Sequence, residues 1–175
     1  FAYCSLENTI MVWNATYMVS GGLSESKAAS FASLFFWGMT IGRISTGFIA
    51  DKVGDAFMIR VGSIALISAI ILTPFIPVSY FWIVLLLLGL GCAPFYPMMM
   101  HQTPRLYGVD ASPALIGLQM ASAYVGSTLA PSLFGFISKL SGMWIFPIYL
   151  VFFFVILVFS TEKKRSLLSS LGLLK

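Results

Sequence analysis

Six apolar stretches, each close to the ~20 residues that cross a bilayer core, take up most of this 175-residue chain. They run over 1–19, 27–50, 57–76, 81–100, 113–137 and 143–160. A water-soluble fold is excluded, because 59% of the residues are hydrophobic and 9% are charged, against about 25% charged in an ordinary soluble domain. Helices are expected rather than barrel strands. Each stretch is about twice the ~9–11 residues of a membrane strand, and none sustains apolar/polar alternation. The expected fold class is an all-α membrane protein of six transmembrane helices, continuous or locally kinked, since irregular backbone in lipid would leave polar groups unsatisfied.

The breaks carry turn-forming residues: Ser20-Gly21-Gly22, Asp51-Lys52-Val53-Gly54-Asp55, Pro77-Val78-Ser79 and Ser138-Lys139-Leu140-Ser141-Gly142. Ser112 before Pro113 is expected to cap a helix with proline in its first turn. If the chain enters from the cytoplasm, Lys52, Arg60, Arg105, Lys163, Lys164, Arg165 and Lys175 lie inside. Lys27 and Lys139 then lie outside. This positive-inside bias places both ends in the cytoplasm and the protein in the plasma membrane. Phe1 already sits in an apolar helical pattern, which is read as a start within a longer polypeptide. The expected organisation is a six-helix unit over 1–160 and a basic cytoplasmic tail over 161–175. That tail, with Leu167, Leu168, Leu171 and Leu174, either lies on the inner leaflet or follows a stop-transfer cluster.

Several chemistries find no support. Cys4 and Cys92 lack metal or redox spacing and read as packing residues. The net charge of +4 marks membrane boundaries and forms no nucleic-acid stripe. The single histidine, His101, is placed in a solvated loop over 101–105, and no G-x-S-x-G, H-E-x-x-H or paired intramembrane aspartates occur. No cofactor, metal or enzymatic activity is expected.

The residues that carry mechanism lie within the stretches. Glu7 and Asn14 share one helix face with Met11 and Met18, giving a polar stripe in which Glu7 serves as proton carrier, solute contact or structural partner. Trp13 and Gln119 are further cavity candidates. Gly38 and Gly42, continued by Thr46, have the spacing for close helix approach, as have Ser122, Gly126 and Ala130, while Pro131 is expected to bend or end its helix. Arg43 needs a carboxylate, and Asp51 is the expected partner.

Gly47-Phe48-Ile49-Ala50-Asp51-Lys52-Val53-Gly54 resembles the G-x-x-x-D-[R/K]-x-G loop signature of the major facilitator superfamily, departing from it at Asp55-Ala56-Phe57, where basic residues often follow. Gly47 would allow close helix approach, Gly54 a tight reversal, and Asp51 a contact that latches one conformation. The Pro131 region is similar to the kinked fifth helix of each facilitator half. Gly89-Leu90-Gly91-Cys92-Ala93-Pro94-Phe95-Tyr96-Pro97 resembles the fourth helix of the fucose/glucose/galactose-permease branch. With Tyr3 and Trp13 fitting that branch, Tyr96 becomes a solute candidate or an interface aromatic. The resemblance implies the C-terminal six-helix half of a facilitator, made of two inverted three-helix repeats over about 1–77 and 78–160. It further implies alternating access against a missing N-terminal half of the same chain. H+ or Na+ coupling and a sugar or other small polar solute are favoured. A drug or metabolite exporter is the alternative; a channel or scaffold would not explain the loop.

Overall fold

The computed structural model describes residues 1–170, except for the side chains of Asp51, Arg165, Leu168 and Ser169. Every long element among them is a helix: α1 (Ala2–Ser20), α2 (Glu25–Val53), α3 (Asp55–Leu72), α4 (Phe81–Cys92), α5 (Phe95–Tyr107), α6 (Ser112–Ser141) and α7 (Phe146–Ser170). Single 3-10 turns, Val78–Tyr80 and Met143–Ile145, lead into α4 and α7. The helices α4 and α5 together form one broken span, so the described residues hold six membrane helices, matching the six apolar stretches.

Asp55–Leu72, Val78–Tyr107, Ser112–Ser141 and Met143–Lys164 are long and apolar enough to cross a membrane by themselves. The other two are more polar, α1 through Glu7, Asn8 and Asn14 and α2 through Lys27 and Arg43, yet α1 packs between α2, α6 and α7. A helix surrounded by protein can carry polar groups that a lipid-facing one cannot.

The packing is reciprocal. The second helix of each three-helix unit lies against the first helix of the other: α2 packs most extensively on α4, and α6 on α1. The third helices repeat the relation, α3 on α4 and α7 on α1. With an odd number of spans per unit, the second unit enters from the opposite side, so the units are inverted repeats interlocked along one core. Phe35, Phe81, Phe95, Phe134, Phe146 and Leu6 are fully enclosed there.

Glycines set the closest crossings. A Cβ on Gly38 would collide with the Leu86 backbone, and one on Gly89 with Phe35 O and the Met39 amide. Gly42 faces Ala93, a Cβ on Gly91 would come within 2.7 Å of the Leu66 amide, and one on Gly126 within 2.7 Å of both Phe1 O and Ser5 Oγ. The expected close-packing faces of α2 and α6 thus meet α4 and α1. Gly47 differs, since a Cβ there would meet nothing within 4 Å. Between α2 and α3 stands a single residue, Gly54, at φ 82° and ψ 152°. This is backbone space that a residue with Cβ avoids, and it accounts for the tight reversal.

Three local expectations change. The fourth stretch does not stop at residue 100. It breaks at Ala93-Pro94, where proline withholds the N–H that would bond the Leu90 carbonyl, and resumes as α5. His101 and Arg105 are therefore on a helix, not in a loop. Ser112 is the first residue of α6 rather than its cap, with its hydroxyl donating back to Gly108 O. Pro131 lies inside α6, which runs on to Ser141. Residues 161–170 continue α7; Leu171 and Leu174 lie outside the described residues.

Candidate functional site

Two charged candidates on different helices meet, joining α1 to α2. Arg43 is one turn beyond Met39, the midpoint of the 29-residue α2. Its Nη2 lies 3.5 Å from Glu7 Oε1 on α1, with the side chains 47% and 12% exposed respectively. The sequence reading paired Arg43 with Asp51. The structure places Arg43 beside Glu7 on the neighbouring helix; the side chain of Asp51, its expected partner, lies outside the described residues. The neighbouring turn of α2, at Gly42, faces Ala93, so the ion pair sits at the depth of the break between α4 and α5. One turn before Glu7, the Tyr3 ring stacks on Phe95, the first residue of α5, at 5.5 Å.

The other candidates have local duties. Asn14 is wholly buried, and its amide donates to Ile10 O at 2.7 Å. The polar stripe of α1 thus faces the packed interior at this level rather than an open cavity. Trp13 donates its indole N–H to Pro131 O at 2.9 Å, with its ring against Gly135 and edge-on to Phe134. The Pro131 region therefore serves as a seat for α1, and Ala130 O likewise accepts the Tyr149 hydroxyl at 2.8 Å. Gln119 donates to Thr103 Oγ1 at 3.0 Å, tying α6 to α5. Tyr96 contacts Met120 through its hydroxyl at 3.3 Å. Tyr96 and Gln119 do share a space: both line a cavity of about 1180 Å³ bounded by α3, α5, α6 and α7, with Tyr3 and Cys4 on its wall. Lys52 is exposed in the last turn of α2.

A second polar group lies at the Asp55 end and was not singled out from sequence. Asp55, in the first turn of α3, is 9% exposed. Its Oδ1 is 3.0 Å from His101 Nδ1, and its Oδ2 is 4.0 Å from an Arg105 guanidinium nitrogen, both partners being on α5. Arg60 on α3 faces Glu162 on α7 at 3.7 Å, and Lys164 Nζ donates to Gln102 at 3.0 Å. These contacts bind α5 to α3 on one side and to α7 on the other. An acidic residue opening a helix after a turn glycine was the available signal. The proline at 104 hid it by making 101–105 read as loop.

Interlocked inverted repeats joined by an ion pair between α1 and α2 define a polytopic membrane protein of the secondary-transporter type. Over residues 1–170 the sequence matches the Major Facilitator Superfamily, and the chain belongs to that family, forming half of its fold. Its members are transporters rather than enzymes. Among curated proteins, none matches the chain.

Proposed function

We propose that this chain is the C-terminal half of a facilitator that carries a small polar solute, a sugar or other metabolite, by alternating access against a second six-helix half. The observation that carries this reading is the Glu7–Arg43 pair. Two ionisable residues within membrane helices are costly and are retained where a pathway uses them. Guanidinium and carboxylate together offer donors and acceptors to a polar solute, and Glu7 provides a site for a coupling proton, which favours H+ over Na+. Both ends of the chain are cytoplasmic in this reading, so Asp55, His101, Arg105 and Lys164 sit at the inner face of the plasma membrane. The aromatic-proline stretch around Tyr96 supports the fucose/glucose/galactose-permease branch. Export of a metabolite or drug uses the same architecture in the opposite direction.

The test is solute uptake by the full-length protein in vesicles, with and without an imposed pH gradient, using a panel of neutral sugars and small metabolites. Gradient-driven accumulation that Glu7→Gln uncouples from pH is expected. Conductance independent of any gradient would establish a channel instead, and pH-driven accumulation unchanged in Glu7→Gln would remove Glu7 from the coupling.

A further inference from the structure

Two lysines and an arginine lead directly into a serine near the end of α7: Lys163-Lys164-Arg165-Ser166-Leu167. A cluster that only stops translocation needs charge and sets no register. Here the register is specific, with lysines three and two residues before the hydroxyl and a large apolar side chain directly after it. Protein kinases that prefer basic substrates read that pattern, because carboxylates lining the cleft pair with the cations and an apolar pocket takes the following residue.

The structure leaves the acceptor open. The apolar span ends at Lys164 and α7 continues to Ser170, so residues 165–170 project beyond the span by about 9 Å of helix. Ser166 is exposed, as is Leu167. The two lysines are engaged instead. Lys164 Nζ donates to Gln102 Oε1 on α5 at 3.0 Å, and Lys163 Nζ lies 6.0 Å from the centre of the Phe159 ring. A cleft that reads residues on both sides of one hydroxyl holds the segment extended, so the last turns of α7 must open first. Opening a helix end costs little, but Lys164 must also leave Gln102.

We infer that Ser166 is the phosphate acceptor of a basic-directed protein kinase, admitted only when the end of α7 parts from α5. The Ser166 hydroxyl oxygen attacks the γ-phosphorus of a nucleoside triphosphate held by the kinase. A new P–O bond forms as the bond from that phosphorus to the β–γ bridging oxygen breaks, the nucleoside diphosphate departs, and the hydroxyl proton passes to the kinase's base and on to water. The phosphoserine carries about −1.5 to −2 charge at neutral pH. Lys163, Lys164 and Arg165 stand against one carboxylate, Glu162, so the phosphate cancels the net charge of this segment. It also lies at the negative end of the α7 dipole and one turn from Glu162, and both repel it. The helix end then stays open, and the tie from Lys164 to Gln102 is not remade. Access to a kinase in the cell rests on the cytoplasmic placement of this end proposed above; the acceptor and its gating do not.

The test uses the full-length protein in lipid nanodiscs, which expose both faces, with ATP, the catalytic subunit of a cyclic-nucleotide-dependent kinase and peptide mass spectrometry. Phosphate is expected on Ser166 and is lost in Ser166→Ala. Replacing Lys163 and Lys164 together by alanine should lower kcat/KM by at least about 10-fold, while replacing both by arginine should retain it. Gln102→Leu frees Lys164 and should raise kcat/KM by about 2- to 10-fold, the equivalent of one ordinary hydrogen bond. No phosphate on Ser166, or a rate indifferent to both lysines, overturns the acceptor. A rate indifferent to Gln102→Leu overturns the gating by α5. Kinase applied to intact cells and to sealed inverted vesicles reports the side, and labelling of intact cells only would count against the cytoplasmic placement alone.

Discussion

Replacing Gly38 by alanine should separate α2 from α4 and destabilise the first repeat against the second. The added methyl would collide with Leu86 O and sit 3.1 and 3.2 Å from Leu86 C and Cα. All three are backbone atoms, so no side-chain rotation relieves the contact, and the helices must part by roughly 0.5–1 Å, which forfeits about a quarter to a half of each dispersion contact across the crossing. With ~20 heavy-atom pairs of ~0.1–0.2 kcal/mol each at such a crossing, the loss is on the order of 1–2 kcal/mol. This falls within the ~1–3 kcal/mol typical of overpacked cores. Gly47→Ala, on the same helix but with open space around it, is the matched control and should change stability by no more than about 0.5 kcal/mol. Thermal unfolding of the detergent-solubilised full-length protein, followed through thiol-dye labelling of the enclosed Cys92, reports the difference. Equal stability of the two variants would refute the assignment of the α2–α4 crossing as the tight joint of the fold.

Trp13→Phe keeps the aromatic contact with Phe134 but leaves Pro131 O without its donor; a loss of about 0.5–1.5 kcal/mol is expected in the same unfolding assay. Asp55→Ala removes the buried acceptor shared by His101 and Arg105 and should cost about 1–3 kcal/mol. It should also raise the labelling rate of a cysteine introduced at Met99, as α5 loosens from α3. Asp51→Asn tests the loop latch. The balance between inward- and outward-facing states should shift, read by the accessibility of engineered cysteines from each side, and unchanged accessibility on both sides would dismiss the latch.

The spans were legible because the bilayer fixes their length and composition, and the close-packing role of Gly38, Gly42 and Gly126 followed from four-residue spacing. What escaped the sequence depended on pairing between helices. Arg43 and Asp51 share a helix but are separated by about 12 Å of rise, whereas Glu7 comes within 3.5 Å of Arg43 from a helix 36 residues away in sequence. No periodicity within α2 contains that fact. Trp13 and Pro131 were each noticed as features of their own helix, and only the packing of α6 on α1 joins them. Pro97 lies in the first turn of α5, where no backbone donor is required, and Pro104 is accommodated within the helix, so 101–105 is helical rather than the expected loop.

The interlocking of the two repeats has a consequence for biogenesis. A nascent α1 leaves the ribosome with Glu7 charged and Trp13 unbonded. Its ion-pair partner follows 36 residues later, but the acceptor for Trp13 is 118 residues away. At ~5–20 residues per second, that second wait lasts about 6 to 24 s. Among the described helices, α1 is one of the two not apolar enough to hold the bilayer alone, so it needs shelter at the insertion machinery until α6 arrives. The polar groups at the centre of this half therefore set a timetable for its assembly: α1, made before the other described helices, is among the last of them to be seated.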